Sequence, residues 1–280
     1  MERKITSKLI SDFNLYLIQE EKADSTIEKY IRDVKAFYKW SREKILTKEI
    51  VLDFKRYIMT HYAPTSANSI LSSVNHFFEF NKWYDLKVRS IKIQRQIFSA
   101  KERELTRDEY QRLLRVAKRK NNKQLNLLMQ TICSCGLRVS ELKFITVEAL
   151  SSQTAIIKCK GKMRQIFLPA MLCRVLKRYA RSKKISSGSV FVTKTGKPLD
   201  RSNIWKMMKS LCESANVPSS KVFPHNLRHL FARTYYTIEK DIVRLADILG
   251  HSSINTTRIY TMENGDNCRK QIQKLGLLRC

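Results

Sequence analysis

Tyr260 closes the run His251-Ser-Ser-Ile-Asn-Thr-Thr-Arg-Ile-Tyr260, nine residues after the histidine. Upstream lie His225-Asn-Leu-Arg228 and Gly136-Leu-Arg138-Val-Ser-Glu-Leu142. The chain thus offers a phenol, two guanidinium groups and two imidazoles. A phenol, with a pKa of about 10, attacks poorly at neutral pH unless a neighbour takes its proton, and imidazole titrates where that is feasible. Guanidinium forks neutralise the nonbridging oxygens of a phosphoryl group bidentately. This set suits in-line attack on a phosphodiester by the protein's own side chain.

Each residue also has a bland reading. His225 and Arg228, three apart on a predicted helix, share a face and could form an ordinary polar edge. Gly136 and Gly250 read as left-handed helix ends, which puts Arg138 and His251 at bends, where arginines often cap carbonyls. Tyr260, at helical spacing from Ile254 and Thr257, could be core. Tyr235 and Tyr236 are read as structural. Lys160 and Lys162 could sit in a solvated basic loop.

The elements that must position these groups are mostly helical. Of 280 residues 43% are hydrophobic, with only 7 Gly and 5 Pro, which fits a folded helical protein. Ser25-Thr-Ile-Glu28 reads as a capping box. Helical periodicity runs over 5–18, 25–38, 47–62 and 64–81, enough for a four-helix domain over 1–85. The basic stretch 86–104 lacks a helical apolar face and reads as a linker. Thr106-Arg-Asp-Glu109 is a second capping box and opens a domain over 105–280. There, helices are predicted near 106–119 and 123–135. Strands at 154–159 and 165–168 flank a turn, Lys160-Gly-Lys-Met-Arg164. Pro169 starts a helix, 189–192 reads as a strand, and helices follow at 201–215, 225–239, 241–249 and 254–260. The fold class is therefore mainly α (α+β), with a small antiparallel sheet in the second domain.

The net charge is +29. Residues 1–100 hold 18 Lys and Arg against 12 Asp and Glu, and residues 101–280 hold 36 against 13. The main polyanion contact is expected on the second domain, with nucleic acid the first candidate. No run of 18 apolar residues and no apolar signal core appears, which argues against a membrane role. The seven cysteines are odd in number and lack zinc-ligand spacing, as expected of reduced thiols in a cytoplasmic protein.

Taken in order, these motifs resemble the tyrosine recombinase (phage integrase) family, and the layout is similar to its simple Xer-type members. The family's arginine in a GLRxSEL segment corresponds to Arg138, its hairpin lysine to Lys160 or Lys162, its HxxR to His225 and Arg228, its LGH to His251, and its nucleophile to Tyr260. Lys160 is favoured because it precedes the glycine. The resemblance covers the second domain, and less specifically the first, which looks like the family's core-binding domain. It implies attack by Tyr260 to give a 3′-phosphotyrosyl link, with His225 as general base, Arg138 and Arg228 on the phosphate oxygens, His251 adding a hydrogen bond, and Lys160 protonating the leaving 5′-oxygen. Neither metal nor other cofactor is expected, since arginines neutralise the charge and the covalent link conserves the bond energy. The implied partners are double-stranded DNA recombination sites and three further copies of the chain, joined through tail 261–280 with its Leu275, Leu277 and Leu278. The implied location is the bacterial nucleoid. The target sequence and any need for a directionality factor stay open. A type IB topoisomerase-like enzyme and a catalytically silent DNA-binding accessory protein are the competing readings.

Overall fold

The computed structural model of the chain describes residues 3–41, 44–93, 104–159, 162–251, 253–260 and 273–274. Contacts divide it into two compact units, residues 1–95 and 96–280.

The first unit contains α1 (Ser7–Gln19), α2 (Asp24–Ser41), α3 (Lys48–His61) and α4 (Pro64–Phe80). Phe13, Phe37, Phe77 and Phe78, one or two from each of three helices, are wholly buried and form edge and tilted ring contacts at its centre. Thr6 and Thr47 cap α1 and α3 through their hydroxyls, and Pro64 occupies the first turn of α4, where its missing N–H costs nothing. Ser25 is not a cap. The helix has already begun at Asp24, and the Ile27 amide donates to the Ala23 carbonyl. The start of the expected linker also belongs to this unit. Val88 is buried, and Asn75 and Asn68 bond the backbone of Val88 and Ile91 through both amide atoms. Side-chain amides thus replace a helical face as the tether.

The second unit begins with α5 (Arg107–Arg119), where Thr106 and Glu109 form both bonds of the expected capping box. The core runs along α6 (Lys123–Cys135), which buries Leu125, Leu127, Leu128, Met129, Thr131, Ile132 and Cys135. A helix apolar on nearly every side must lie inside the domain, and α6 packs along α11 (Pro224–Glu239). After a 3₁₀ turn (Val139–Phe144) and α7 (Val147–Ser152), β1 (Thr154–Cys159) pairs antiparallel with β2 (Lys162–Phe167). Then come α8 (Ala170–Ser182), α9 (Arg201–Lys209), α10 (Cys212–Ala215), α12 (Ile242–Leu249) and α13 (Ile254–Arg258).

Three expectations change here. The hairpin turn is shorter than expected, because β2 already starts at Lys162, placing Met163 and Arg164 in the strand. The 201–215 helix is two helices, separated where the Leu211 amide turns back to the Met208 carbonyl. Residues 189–192 make only isolated bridges, because the segment divides its bonds: Val190 donates to Ile145, while Phe191 accepts from Leu199.

α6 ends at Gly136, whose φ of 62° suits glycine. A Cβ there would lie 2.5 Å from Phe231 Cδ1 on α11. Gly136→Ala should therefore lose at least about 1–2 kcal/mol from backbone strain alone, with the Phe231 clash added, measured by equilibrium chemical denaturation.

Candidate active site

Four segments of the second unit converge: the turn after α6, the start of α11, the α12–α13 junction, and β2. Arg228, in the first turns of α11, is 1% exposed and occupies the centre. Its Nη1 donates to the Gly136 carbonyl at 2.7 Å, and its Nη2 to the Leu249 carbonyl at 2.7 Å and to His251 Nε2 at 2.9 Å. Gly136 and Leu249 close α6 and α12, so one cation serves two helix C-termini, where the backbone dipoles favour positive charge. Burial, then the Arg138 charge, pushes the Arg228 pKa down to about 10; the nearby Tyr260 and Glu141 act the other way. It remains cationic at neutral pH.

Arg138 reaches the same point from the N-terminus of the 3₁₀ turn. Its Nη1 donates to Glu141 Oε1 at 3.0 Å and its Nη2 to the Gly250 carbonyl at 3.3 Å. Its side chain stays 42% exposed. Arg138 is therefore the guanidinium presented to an incoming anion, whereas three of the five N–H groups of Arg228 are engaged by protein. The two arginines are not equivalent forks.

Glu141, 2% exposed, holds the assembly together. It accepts from the Arg138 amide at 2.7 Å, from Arg138 Nη1, and from Arg164 Nη2 at 2.6 Å, with Arg228 Nη1 at 3.9 Å. Arg164 also donates from Nη1 to the Ile248 carbonyl, which ties the hairpin to the end of α12. A Cβ on Gly250, whose φ is 63°, would lie 2.6 Å from Arg164 Cδ, so glycine is required for this close approach.

His251 uses both ring nitrogens. A guanidinium can only donate, so Nε2 accepts from Arg228, and Nδ1–H donates to Thr257 Oγ1 at 2.8 Å. Burial and the Arg228, Arg138 and Arg164 charges hold its pKa down at about 4. In this arrangement both ring nitrogens face protein partners, so His251 buttresses the Arg228 guanidinium. His225 is exposed at the rim, and desolvation followed by Arg228, Arg138 and Arg201 lowers its pKa, favouring the proton-accepting form.

Tyr260 is 4% exposed and packs with Ala232, Leu245 and Leu249, with Phe231, Tyr235 and Tyr236 around them. The core reading of Tyr260 agrees with this packing, and its ring also lies beside two imidazoles. Its ring centroid lies 6.0 Å from that of His251 at 17°, and 4.6 Å from that of His229 at 82°. Lys160 lies outside the described residues, as do 261–272 and 275–280 of the expected tail. Lys162 opens β2.

Three participants went unread in the sequence. His229 follows His225 by one helical turn, and that spacing alone would have drawn it to the same face. Arg164 alternates with Ile166 and pairs with Ile157, so it occupies an inward position on a strand, a signal hidden when residues 160–164 were read as a turn. Thr257 carried no signal beyond its helical position. Among the described residues no group of His, Cys, Asp and Glu could hold a metal ion, and no helix is long and apolar enough to cross a membrane.

A buried arginine at two helix ends, a second arginine open to solvent and a tyrosine between imidazoles form a cationic cluster suited to a phosphoryl group. The chain belongs to the phage integrase family: residues 103–266 match the family model, and residues 10–84 match the phage integrase N-terminal SAM-like domain. It is similar to tyrosine recombinase XerA of Thermococcus kodakarensis, 28% identical over 282 residues that cover 97% of this chain and 96% of that protein. The fold is similar to that of a lambda integrase dimer bound to a COC′ core site (TM-score 0.75, 16% identity, 94% of this chain and 97% of that one). It also resembles a lambda integrase tetramer bound to a Holliday junction (TM-score 0.74, 16% identity, 92% of this chain and 77% of that one). The chain is an Xer-type tyrosine recombinase, a DNA strand transferase.

Two predictions follow from the geometry. Glu141→Ala leaves Arg164 and Arg228 without their carboxylate and should destabilise the second unit by roughly 3–5 kcal/mol in equilibrium denaturation. His229 and His251, whose folded pKa values of about 4 lie below the ordinary 6.5, contribute stability that is complete above about pH 6.5 and is lost as pH falls towards 4. Between pH 6.5 and 5, above the carboxylate range, Tm should fall with pH, and His251→Asn should flatten that slope.

Proposed function

We propose that Tyr260 is the nucleophile of this recombinase and that Arg138, His225, Arg228, His251 and Lys160 assist it. The observation that carries this reading is the convergence of Arg138 and Arg228 on Glu141 and on the Leu249 and Gly250 carbonyls, with the Tyr260 ring 6.0 Å from that of His251, which Arg228 itself bonds. Tyr260 Oη forms a bond to phosphorus in line with the breaking P–O5′ bond. The phenolic proton passes to His225, and Lys160 supplies a proton to the departing 5′-oxygen. Arg138 binds the nonbridging oxygens, whose charge grows as the phosphorane forms, and Arg228 adds its charge and its remaining donors from beneath. The nearby Arg228 charge also favours the developing phenolate. The 3′-phosphotyrosyl bond conserves the phosphodiester energy, so a 5′-hydroxyl from another strand can reverse the attack. No metal or nucleotide enters these steps.

The partner is duplex DNA carrying two recombination sites, gripped by the helical first unit and the strongly basic second one. Four copies assemble, each passing its 261–280 tail to a neighbour in a closed ring, and exchange proceeds through a Holliday junction. The similarity to a lambda integrase tetramer on such a junction supports this assembly.

DNA recovered in covalent complex with the protein identifies the target, and a nicked version of that duplex traps the adduct. Tyr260→Phe should bind this DNA undiminished and give no adduct on a denaturing gel; an adduct of normal yield would place the nucleophile elsewhere. Arg138→Ala should form adduct roughly 10²–10³-fold more slowly in single-turnover cleavage.

A further inference from the structure

His229 has no part in the chemistry above, yet its ring stands between those of His225 and Tyr260. Its centroid is 4.3 Å from that of His225 at 77° and 4.6 Å from that of Tyr260 at 82°. Among the described residues these ring contacts are its specific interactions, and no hydrogen bond joins them.

The backbone holds Tyr260 only lightly. α13 has five residues, and the Tyr260 amide is tied back by one bond to the Thr257 carbonyl at 2.9 Å. A single turn is not self-supporting, so the direction of the phenol depends on what its ring touches. His251 gives the ring one near-parallel neighbour, itself locked by Arg228 and Thr257. The near-perpendicular neighbour is His229, whose own position is fixed by the second turn of α11. The aliphatic side chains of Ala232, Leu245 and Leu249 and the near-parallel His251 ring confine the phenol but set no fixed angle for it. An edge set at right angles removes that freedom.

We infer that His229 is a positioning residue, its imidazole edge holding the Tyr260 ring so that the hydroxyl stays aimed at the Arg228 side of the pocket. The inference rests on Tyr260 being the nucleophile. Burial, reinforced by the His225 and Arg228 charges, pushes the His229 pKa down to about 4. The ring is therefore neutral where the enzyme works, and it adds shape and not charge. Phenylalanine should do the same work.

The test uses the full chain with the nicked duplex, and 3-fluorotyrosine placed at position 260 by codon suppression. His229→Ala should retain DNA affinity but form adduct about 10–100-fold more slowly, the scale expected when a reacting group is misplaced by about an ångström. Its ¹⁹F resonance should broaden or split. His229→Phe should recover the rate to within a few fold and restore a single resonance. If the alanine variant does not fold, His229→Leu, which fills the space without a ring, takes its place. Adduct formation at the normal rate in the ringless variant, with one unshifted resonance, overturns the inference. So does a phenylalanine variant that shows a single resonance yet cleaves as slowly as the ringless one, because the imidazole nitrogens would then be needed for proton transfer. An adduct surviving Tyr260→Phe would sink the nucleophile assignment instead, and the ¹⁹F comparison would still judge the ring contact.

Discussion

The arrangement depends on a guanidinium group kept away from water. Arg228 satisfies the last carbonyls of α6 and α12 and supports a neutral histidine, all from a position with 1% exposure. Charge in such a place is costly unless every donor direction meets an acceptor. Two helix C-termini supply two of those acceptors and His251 a third, each helix end having unsatisfied carbonyls and partial negative charge. The helices therefore stabilise the arginine, and the arginine fixes where they end. Two parts of the site hang from those ends: Arg138 follows one, and Gly250 with His251 follows the other.

The second constraint is the shortage of carboxylates at the site. The second unit is strongly basic, and three arginines approach one pocket, where Glu141 is the carboxylate that meets all three. It balances part of the charge and leaves the pocket electropositive. Arg138 keeps enough exposure to exchange water for an anion. The cations are thus gathered before any ligand arrives, and an anion entering among them would relieve their mutual repulsion. Burial, reinforced by the same surplus of positive charge, lowers the pKa of His225 and His251.

Much of this was legible in the residues. The Thr106 capping box forms as its pattern implies, α6 lies where its apolar run ends in glycine, and the spacing of His225 and Arg228 puts them on one helical face. What could not be read follows from partners distant in sequence. Side-chain amides of Asn68 and Asn75 draw Val88 and Ile91 onto the first unit, and nothing in the local basic composition announces that. The segment 189–192 has strand-like residues, but its neighbours on either side claim different bonds. Tautomers were also out of reach: His251 accepts from Arg228 only because α11 and α12 bring them together.

The hairpin carries a consequence of its own. In β2 successive side chains point to opposite faces, and Arg164 points inward between outward-facing Met163 and Gln165. A slip of one residue would turn the guanidinium to solvent and offer Glu141 a thioether or a carboxamide. Two strands alone specify their alignment weakly. The Arg164–Glu141 pair therefore acts as a register lock, favouring the observed alignment over its neighbours by electrostatics.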